Sequence, residues 1–160
     1  MDTISEHRKY LNEVLLTEWS KKFTSSQLVY DIGKSTTWNY KSRFVCSLKT
    51  IDRNSYLEPD ICIDLEWKNN IYVPLADGIL FNGVYEQCSD PIKLMKGIKA
   101  IIKPSGLILA GLASIGMTPY GDSDKWRLTR AGAREYMRDF KIIEFLTFPE
   151  YFYILGIYNG

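Results

Sequence analysis

The sequence has neither a long apolar run nor an excess of charge of one sign. No apolar stretch approaches the roughly 18 residues that a membrane-spanning helix requires, and the N-terminus has no apolar signal-peptide core. The 20 Lys and Arg residues nearly balance the 19 Asp and Glu residues, so the formal net charge is +1. Such a chain has no strong overall field to attract nucleic acid or an anionic membrane. We therefore expect a soluble, cytoplasmic protein that binds neither nucleic acid nor a membrane.

Cysteine and histidine are also scarce. Cys46, Cys62 and Cys88 are odd in number, lie in apolar runs and show no C-x-x-C spacing. This pattern predicts buried free thiols in a reducing compartment rather than a disulfide or a metal site. His7 is the one histidine, and its isolated place in an N-terminal helix gives no indication of a catalytic role.

Glycine is missing where a dinucleotide site would need it. An apolar, strand-like run ends in Asp31-Ile-Gly33, yet no further glycine follows until Gly78. A pyrophosphate needs several glycines so that backbone N–H groups can approach the phosphates, which argues against a dinucleotide-dependent oxidoreductase. The next strand-like run ends in Asp52, and acids at the ends of successive strands can face one ligand crevice. A nucleoside that carries a positive charge fits this pattern better.

The rest of the pattern predicts a single α/β domain over residues 1–160, whose N-terminal segment 1–26 contains a helix at 4–23. The fold class we expect is a doubly wound, mostly parallel sheet that ends in an antiparallel hairpin. Predicted strands are 28–32, 45–51, 61–65, 78–82, 107–112, 142–148 and 151–158. Predicted helices begin at Asp90-Pro91, ending before Lys103, and at Thr129, ending near 140.

The first half of this sheet has little room for helices. The connections at 34–44 and 53–60 are shorter than parallel strands usually need, so helices there are reduced or lost. Four aromatic residues, Trp38, Tyr40, Phe44 and Tyr56, would then lack partners, and exposed apolar patches often mark interfaces. We expect a homodimer or a partner protein on this face. The alternative is that these aromatics fold inward and close the core within one chain.

Five motifs in order over about residues 27–145 resemble those of class I S-adenosylmethionine-dependent methyltransferases. Asp31-Ile-Gly33 resembles the family's first motif, and Asp52 matches the acid that holds the ribose hydroxyls. Asp64-Leu65 is similar to the pair beside the adenine. The remaining matches are the fourth-strand motif, residues 76–91, and the helix that ends in Lys103-Pro-Ser-Gly106. An Asp124-Lys-Trp-Arg-Leu-Thr129 element resembles one found in a subset of these enzymes.

The resemblance implies S-adenosylmethionine as the cofactor and a small-molecule or saccharide-type methyl acceptor. It places the cofactor against Asp31, Gly33, Ser35, Asp52, Arg53, Asp64, Leu65, Asn82 and Gly83. Glu86 is the candidate general base. Tyr120, Trp126 and Arg127 are the candidate acceptor contacts, because indole rings stack on sugars and guanidinium groups clamp anions.

Departures from the family pattern support an alternative function. Ser35 stands where the first motif has its second glycine, and Gln87 stands where a histidine is common. A magnesium site is disfavoured because Gly83 and Gln87 replace potential ligands. The chain could thus be a catalytically inactive methyltransferase-like protein that serves in binding or regulation. Each candidate also has a structural interpretation: Asp31 as a turn acid, Glu86 as a surface acid, and Arg127 as the partner of Asp124.

Overall fold

The computed structural model describes residues 6–34, 40–67, 71–119 and 121–160. The N-terminal helix has three segments, α1 (Glu6–Tyr10), a π-helical segment (Leu11–Leu15) and α2 (Leu16–Ser20). The other α-helices in the described residues are α3 (Pro91–Lys99) and α4 (Arg130–Tyr136). The strands are β1 (Leu28–Ile32), β2 (Ser47–Asp52), β3 (Ile61–Cys62), β4 (Ala76–Asn82), β5 (Ile102–Ala113), β6 (Phe140–Thr147) and β7 (Tyr151–Tyr158). In this part of the chain, no helix is both long and apolar enough to cross a bilayer.

The strands form one seven-stranded sheet in the order β3-β2-β1-β4-β5-β7-β6. The first five strands pair in parallel, whereas β7 is antiparallel to both β5 and β6. In β1, Asp31 lies between Thr50 of β2 and Leu80 of β4. The parallel strands therefore bring their carboxyl ends to one edge of the sheet, where open α/β sheets hold their ligands. The predicted fold class and the terminal hairpin are confirmed.

Each face of the sheet has its own apolar core. On one face, α3 and α4 pack over the central strands through buried residues such as Ile98 and Met137. On the other face, the N-terminal helix packs through Leu11, Leu16 and Trp19. The N-caps of α3 and α4 are those the sequence predicted, since Asp90 accepts from the Ile92 and Lys93 amides and Thr129 accepts from the Gly132 amide.

The helices of the first half are reduced, as predicted. In the described residues, the connection from β1 to β2 holds only the short 3₁₀ turn Lys41–Arg43, and that from β2 to β3 only Ser55–Leu57. Tyr40 and Phe44 are buried in the core beneath the N-terminal helix, so these two aromatics fold inward. Tyr56 is 94% exposed, and Trp38 lies outside the described residues. A homodimer or protein partner stays a prediction.

Several boundaries and one cysteine differ from the prediction. The strand predicted at 107–112 begins at Ile102, so Lys103-Pro-Ser-Gly106 belongs to β5 rather than to a helix end. The segment predicted as strand 61–65 pairs only over Ile61–Cys62. Cys46 and Cys88 are buried, but the prediction of a buried thiol is wrong for Cys62, which is exposed because β3 is a short strand at the sheet edge.

Candidate functional site

A cavity of about 380 Å³ opens at the carboxyl ends of β1, β2 and β4. Seven of the nine predicted cofactor residues line it: Gly33, Asp52, Arg53, Asp64, Leu65, Asn82 and Gly83. Leu11 and Leu16 of the N-terminal helix contribute an apolar wall. The predicted residues therefore converge from four separate segments, as expected when parallel strands end at a common edge.

Asp52 fastens the loop after β1 to the end of β2. One carboxylate oxygen accepts from the Lys34 amide at 2.8 Å, and the other accepts from the Asn54 amide at 2.8 Å. The Gly33 amide donates to the Ile51 carbonyl at 2.8 Å. Gly33 has φ +85°, and a Cβ there would lie 2.5 Å from Val84 Cγ2, so both its backbone and its surroundings favour glycine. The carboxylate of Asp52 is partly exposed and faces the cavity with lone pairs to spare.

Asp31 lies deeper than Asp52. Its carboxylate is buried and accepts a 2.7 Å hydrogen bond from the Tyr40 hydroxyl, whose residue lines the cavity. Burial raises the pKa of Asp31 to about 7, and the Tyr40 hydrogen bond opposes this shift. Asp31 itself is not among the described residues that line the cavity. Its contact with the cavity lining is its hydrogen bond with Tyr40, and a role in cofactor binding stays a prediction.

Arg53 and Asp64 line the cavity, and each also contacts Glu66. Arg53 Nη1 pairs with Glu66 Oε2 at 3.0 Å, and Glu66 Oε1 accepts from the Ser89 and Asp90 amides. Asp64 Oδ1 accepts from the Glu66 amide at 2.9 Å. The buried Glu66 thus ties the cavity rim to the start of α3, a link between residues distant in sequence.

At the end of β4, Asn82 and Gly83 line the cavity, and Glu86 follows in the 3₁₀ turn Tyr85–Gln87. Gly83 has φ +72°, so this position also favours glycine. Glu86 is 3% exposed and is not one of the described lining residues. Its carboxylate accepts a hydrogen bond from the Tyr151 hydroxyl at the start of β7. Burial raises the pKa of Glu86, the Tyr151 hydrogen bond opposes that shift, and nearby Asp124 reinforces it.

Trp126 and Arg127 lie near Glu86 rather than in the cavity lining. The Lys125 and Trp126 amides donate to the Glu86 carbonyl, and Trp126 Nε1 donates to the Cys88 carbonyl at 2.9 Å. Arg127 forms two hydrogen bonds, of 2.7 and 2.6 Å, with Asp124. This is the ion pair that the structural interpretation of the sequence anticipated. An acceptor contact for either residue stays a prediction.

Two predicted site residues, Ser35 and Tyr120, lie outside the described residues. The sequence analysis missed further lining residues: Lys34, Tyr40, Leu57, Ile63, Glu66, Val84, Gln87 and Cys88. Lys34 could have been found, because it directly follows Gly33 in the loop. No nearby sequence pattern indicates Tyr40 or Glu66 as a lining residue. Tyr40 is placed by its hydrogen bond to Asp31, and Glu66 by its hydrogen bonds from the amides before α3. Burial raises the pKa of the Cys88 thiol to about 12, so it carries no thiolate chemistry.

No protein-family model matches the sequence, and no curated protein matches it. Solved structures do share the fold. The N-methyltransferase NodS from Bradyrhizobium japonicum in complex with S-adenosyl-L-homocysteine has a TM-score of 0.71 at 11% identity, covering 99% of this chain and 90% of NodS. A putative type 11 methyltransferase from Sulfolobus solfataricus has a TM-score of 0.67 at 15% identity, covering 99% and 95% of the two chains.

TehB from Haemophilus influenzae has a TM-score of 0.68 at 15% identity. The match covers 94% of this chain but only 65% of TehB. At these identities the likeness shows the fold. The resemblance to class I methyltransferases inferred from the motifs is thus confirmed at the level of the fold, and what the chain binds and does is a separate question.

Proposed function

We propose that this chain binds S-adenosylmethionine in the cavity at the ends of β1, β2 and β4 and transfers its methyl group to a small-molecule acceptor. The observation that carries the proposal is the meeting of Gly33, Asp52, Asp64 and Asn82 in one cavity of a methyltransferase-like fold. The sequence motifs predict the same four positions.

The residues present fit the cofactor. A volume of about 380 Å³ lies within the range of about 300–1,000 Å³ typical of small-molecule sites. The φ of +85° at Gly33 and its closeness to Val84 keep a side chain out of this part of the crevice. Leu57, Ile63 and Leu65 offer an apolar wall for a flat base, next to the polar edge formed by Asp52. The cofactor would supply a methyl group already activated as a sulfonium.

The chain's own residues would position the reactants. Asp52 would accept from the two ribose hydroxyls, since its oxygens keep lone pairs beyond those used by the Lys34 and Asn54 amides. Asn82 and Gly83 would face the reacting end of the ligand, where a glycine permits close approach. In a methyl transfer, the protein contributes mainly by holding the two reactants in line.

Replacement of Asp52 by alanine tests the proposal. In Asp52→Ala we expect the affinity for S-adenosylhomocysteine to fall by about 1.5–3 kcal/mol, the value of hydrogen bonds to a charged group. The measurement is calorimetric titration of the wild type and the variant with the same ligand.

Asp60→Ala is the matched control, because Asp60 also accepts hydrogen bonds at a strand end but is not one of the described cavity residues. It should bind S-adenosylhomocysteine as the wild type does. If the wild type fails to bind at millimolar ligand, or both variants lose affinity equally, the cofactor assignment is wrong.

A second candidate function is that of an inactive, methyltransferase-like binding protein. It is favoured by the first half of the sheet, where the described parts of the connections after β1 and β2 contain only 3₁₀ turns. It is also favoured by Glu86, whose carboxylate is buried and bonded to Tyr151 rather than exposed in the cavity. Binding of S-adenosylhomocysteine without methyl transfer to any of a broad set of acceptors would select this function over the first.

A further inference from the structure

A buried polar cluster lies beside the cavity, at the end of β4. We call it the Glu86 cluster, and it consists of Glu86, Asp124, Arg127 and Tyr151. Its members come from the turn after β4, from the segment before α4 and from the start of β7. The Tyr151 hydroxyl lies 3.6 Å from the position that a Cβ of Gly83 would occupy, and Gly83 lines the cavity. The cluster is therefore next to the cavity wall.

The described residues leave this cluster with more negative than positive charge. The Arg127 guanidinium is held by Asp124 through two hydrogen bonds, with Arg127 Nε donating to the Met117 carbonyl at 3.2 Å. The side chains of this pair are 15% and 3% exposed, so little water screens it. Glu86 has no cation to itself, because Arg127 acts on it but is hydrogen-bonded to Asp124, whose negative charge opposes the ionisation of Glu86.

Two buried oxygen acceptors in this region have no donor. Glu86 Oε2 and Asn82 Oδ1 are both buried without a hydrogen-bond partner in the described residues. Asn82 Oδ1 sits over Gly111, where a Cβ would collide with it. Buried acceptors are seldom left unpaired, because each costs about 1–3 kcal/mol. A ligand that brings N–H donors and a positive charge would satisfy both oxygens and balance Glu86.

Taking the proposed methyl transfer as given, we infer that the acceptor is an amine that binds as a cation, with N–H groups that donate to Glu86 Oε2 and Asn82 Oδ1. Because an ammonium has no lone pair, its nitrogen would first give one proton to the Glu86 carboxylate and could then accept the methyl group, with S-adenosylhomocysteine as the second product. A carboxylate or phosphate acceptor fits less well, since the guanidinium in the cluster is already paired with Asp124. A neutral hydroxyl could donate to either oxygen but would leave the charge of Glu86 uncompensated.

The N-terminal helix packs against this site through His7. The His7 ring stacks on Tyr151 with centroids 4.8 Å apart, and His7 Nδ1 lies 3.0 Å from the Tyr153 hydroxyl. His7 Nε2 lies 3.2 Å from Glu150 Oε2. Because Glu86 is buried, an amine can reach it only if Tyr151 or the first helical segment moves. His7 would be a residue that holds this cover in place.

The test compares amines with matched neutral molecules in the absence of cofactor. The probes are D-glucosamine against D-glucose and 2-phenylethylamine against 2-phenylethanol, titrated into the full chain by calorimetry. We expect at least one amine to bind about tenfold more tightly than its neutral partner, which corresponds to about 1.4 kcal/mol. Glu86→Gln, which keeps the shape but removes the charge, should abolish that preference.

Glu135→Gln is the control, because Glu135 is an exposed acid paired with Arg138 and should leave the preference intact. A measurement on the wild type at about pH 5 and about pH 8 keeps the test valid if Glu86→Gln does not fold. For 2-phenylethylamine, whose alkylammonium group stays charged across this range, the preference should grow with pH, since an ionised Glu86 attracts the cation. The titrating and charged groups facing Glu86 are Tyr151 and Asp124 with Arg127, and His7 packs on the far side of Tyr151.

Equal binding of amine and neutral partner, no binding of any amine, or a preference retained in Glu86→Gln would each overturn the inference. Titration of the same proteins with S-adenosylhomocysteine separates this failure from a failure of the proposed function. If the wild type binds the nucleoside but shows no amine preference, only the acceptor class is contradicted. Absence of nucleoside binding in the wild type contradicts the proposed function itself.

Discussion

The two halves of the sheet are held together by different means. Around β4, β5 and β7, buried apolar residues and the helices α3 and α4 form a continuous core. Around β2 and β3, hydrogen bonds from backbone amides to side-chain oxygens hold the loops in place. Asp52 accepts from the Lys34 and Asn54 amides, and Asp60 accepts from the Thr50 amide at 2.8 Å.

The comparison shows how a chain can shorten its helices and still keep its crevice. In the described part of the connection from β1 to β2 there is no α-helix, and Tyr40 and Phe44 pack in the core at that place. The strand ends then need only short polar contacts to hold their loops, because the parallel ladder already sets their spacing. We call the region around β2 and β3 the first half of the sheet and the region around β4, β5 and β7 the second half. We expect substitutions in the second half to destabilise the whole fold and those in the first half to have local effects.

Arg127→Ala should have the largest effect, since it breaks a buried ion pair in the second half. Removing one member of such a pair typically costs about 3–5 kcal/mol, because the other charge stays buried. Arg138→Ala is the matched control: Arg138 pairs with Glu135 on the surface, where both side chains are about 70% exposed, and should cost about 0–1 kcal/mol. Urea unfolding of the two variants measures the difference.

Arg127→Ala also separates two interpretations of the Trp126-Arg127 element. A variant that stays as stable as Arg138→Ala but loses acceptor binding would assign Arg127 to the substrate and contradict its structural role. A large loss of stability would show that the ion pair holds the segment before α4.

Asp31→Asn should change how stability depends on pH, because the buried carboxyl of Asp31 has its pKa raised to about 7. A group whose pKa is higher in the folded state contributes full stability below its unfolded pKa and loses it as pH rises to the folded value. The free energy of unfolding of the wild type should therefore fall, relative to the variant, between about pH 4 and about pH 7. The change is a few kcal/mol, since each pKa unit corresponds to about 1.4 kcal/mol.

Asparagine can still accept from the Tyr40 hydroxyl, so this variant removes the charge and keeps the contact. Tyr40→Phe is the complementary change. Because the Tyr40 hydrogen bond lowers the pKa of Asp31, its loss should shift the pH window upward. Unfolding curves of the wild type and Asp31→Asn that run parallel across this range would contradict the buried, titrating Asp31.

Local patterns in the sequence were enough to predict strand ends and caps. Asp31-Ile-Gly33 and Asp52 carry their signal within a few residues, and the structure places both at the carboxyl edge of the sheet. Asp90 and Thr129 cap the helices that they precede. The two caps can be predicted because each depends on hydrogen bonds between neighbours in the chain.

Long-range contacts could not be predicted in this way. Glu86 meets Tyr151 across 65 residues, and His7 meets Tyr153 across 146. Local patterns indicate no partner for Glu86 and no role for His7, since nothing near either residue points to strand β7. Cys62 was predicted to be buried from its apolar neighbours, but its position on a two-residue edge strand was decided by the order of strands in the sheet.

Asp60→Ala should have the smallest effect and the opposite pH dependence to Asp31→Asn. The pKa of Asp60 is lowered, chiefly by the hydrogen bond from the Thr50 amide, with the Thr50 hydroxyl and Lys41 adding to it. Loss of these contacts at neutral pH should cost about 0.5–1.5 kcal/mol. Because a lowered carboxyl pKa contributes stability above its unfolded value, this cost should shrink as pH falls below about 4.

Hydrogen exchange at the Thr50 amide is the sharpest readout for Asp60→Ala, because this amide donates directly to the lost carboxylate. Faster exchange there, with unchanged exchange at buried β5 amides such as that of Leu109, would confirm that polar contacts in the first half act locally. If Asp60→Ala accelerates exchange equally at both positions, the two halves unfold as one unit and the distinction between them fails. Fast exchange confined to β2 would instead leave the cavity wall formed by β4 intact, so nucleoside binding should survive in this variant.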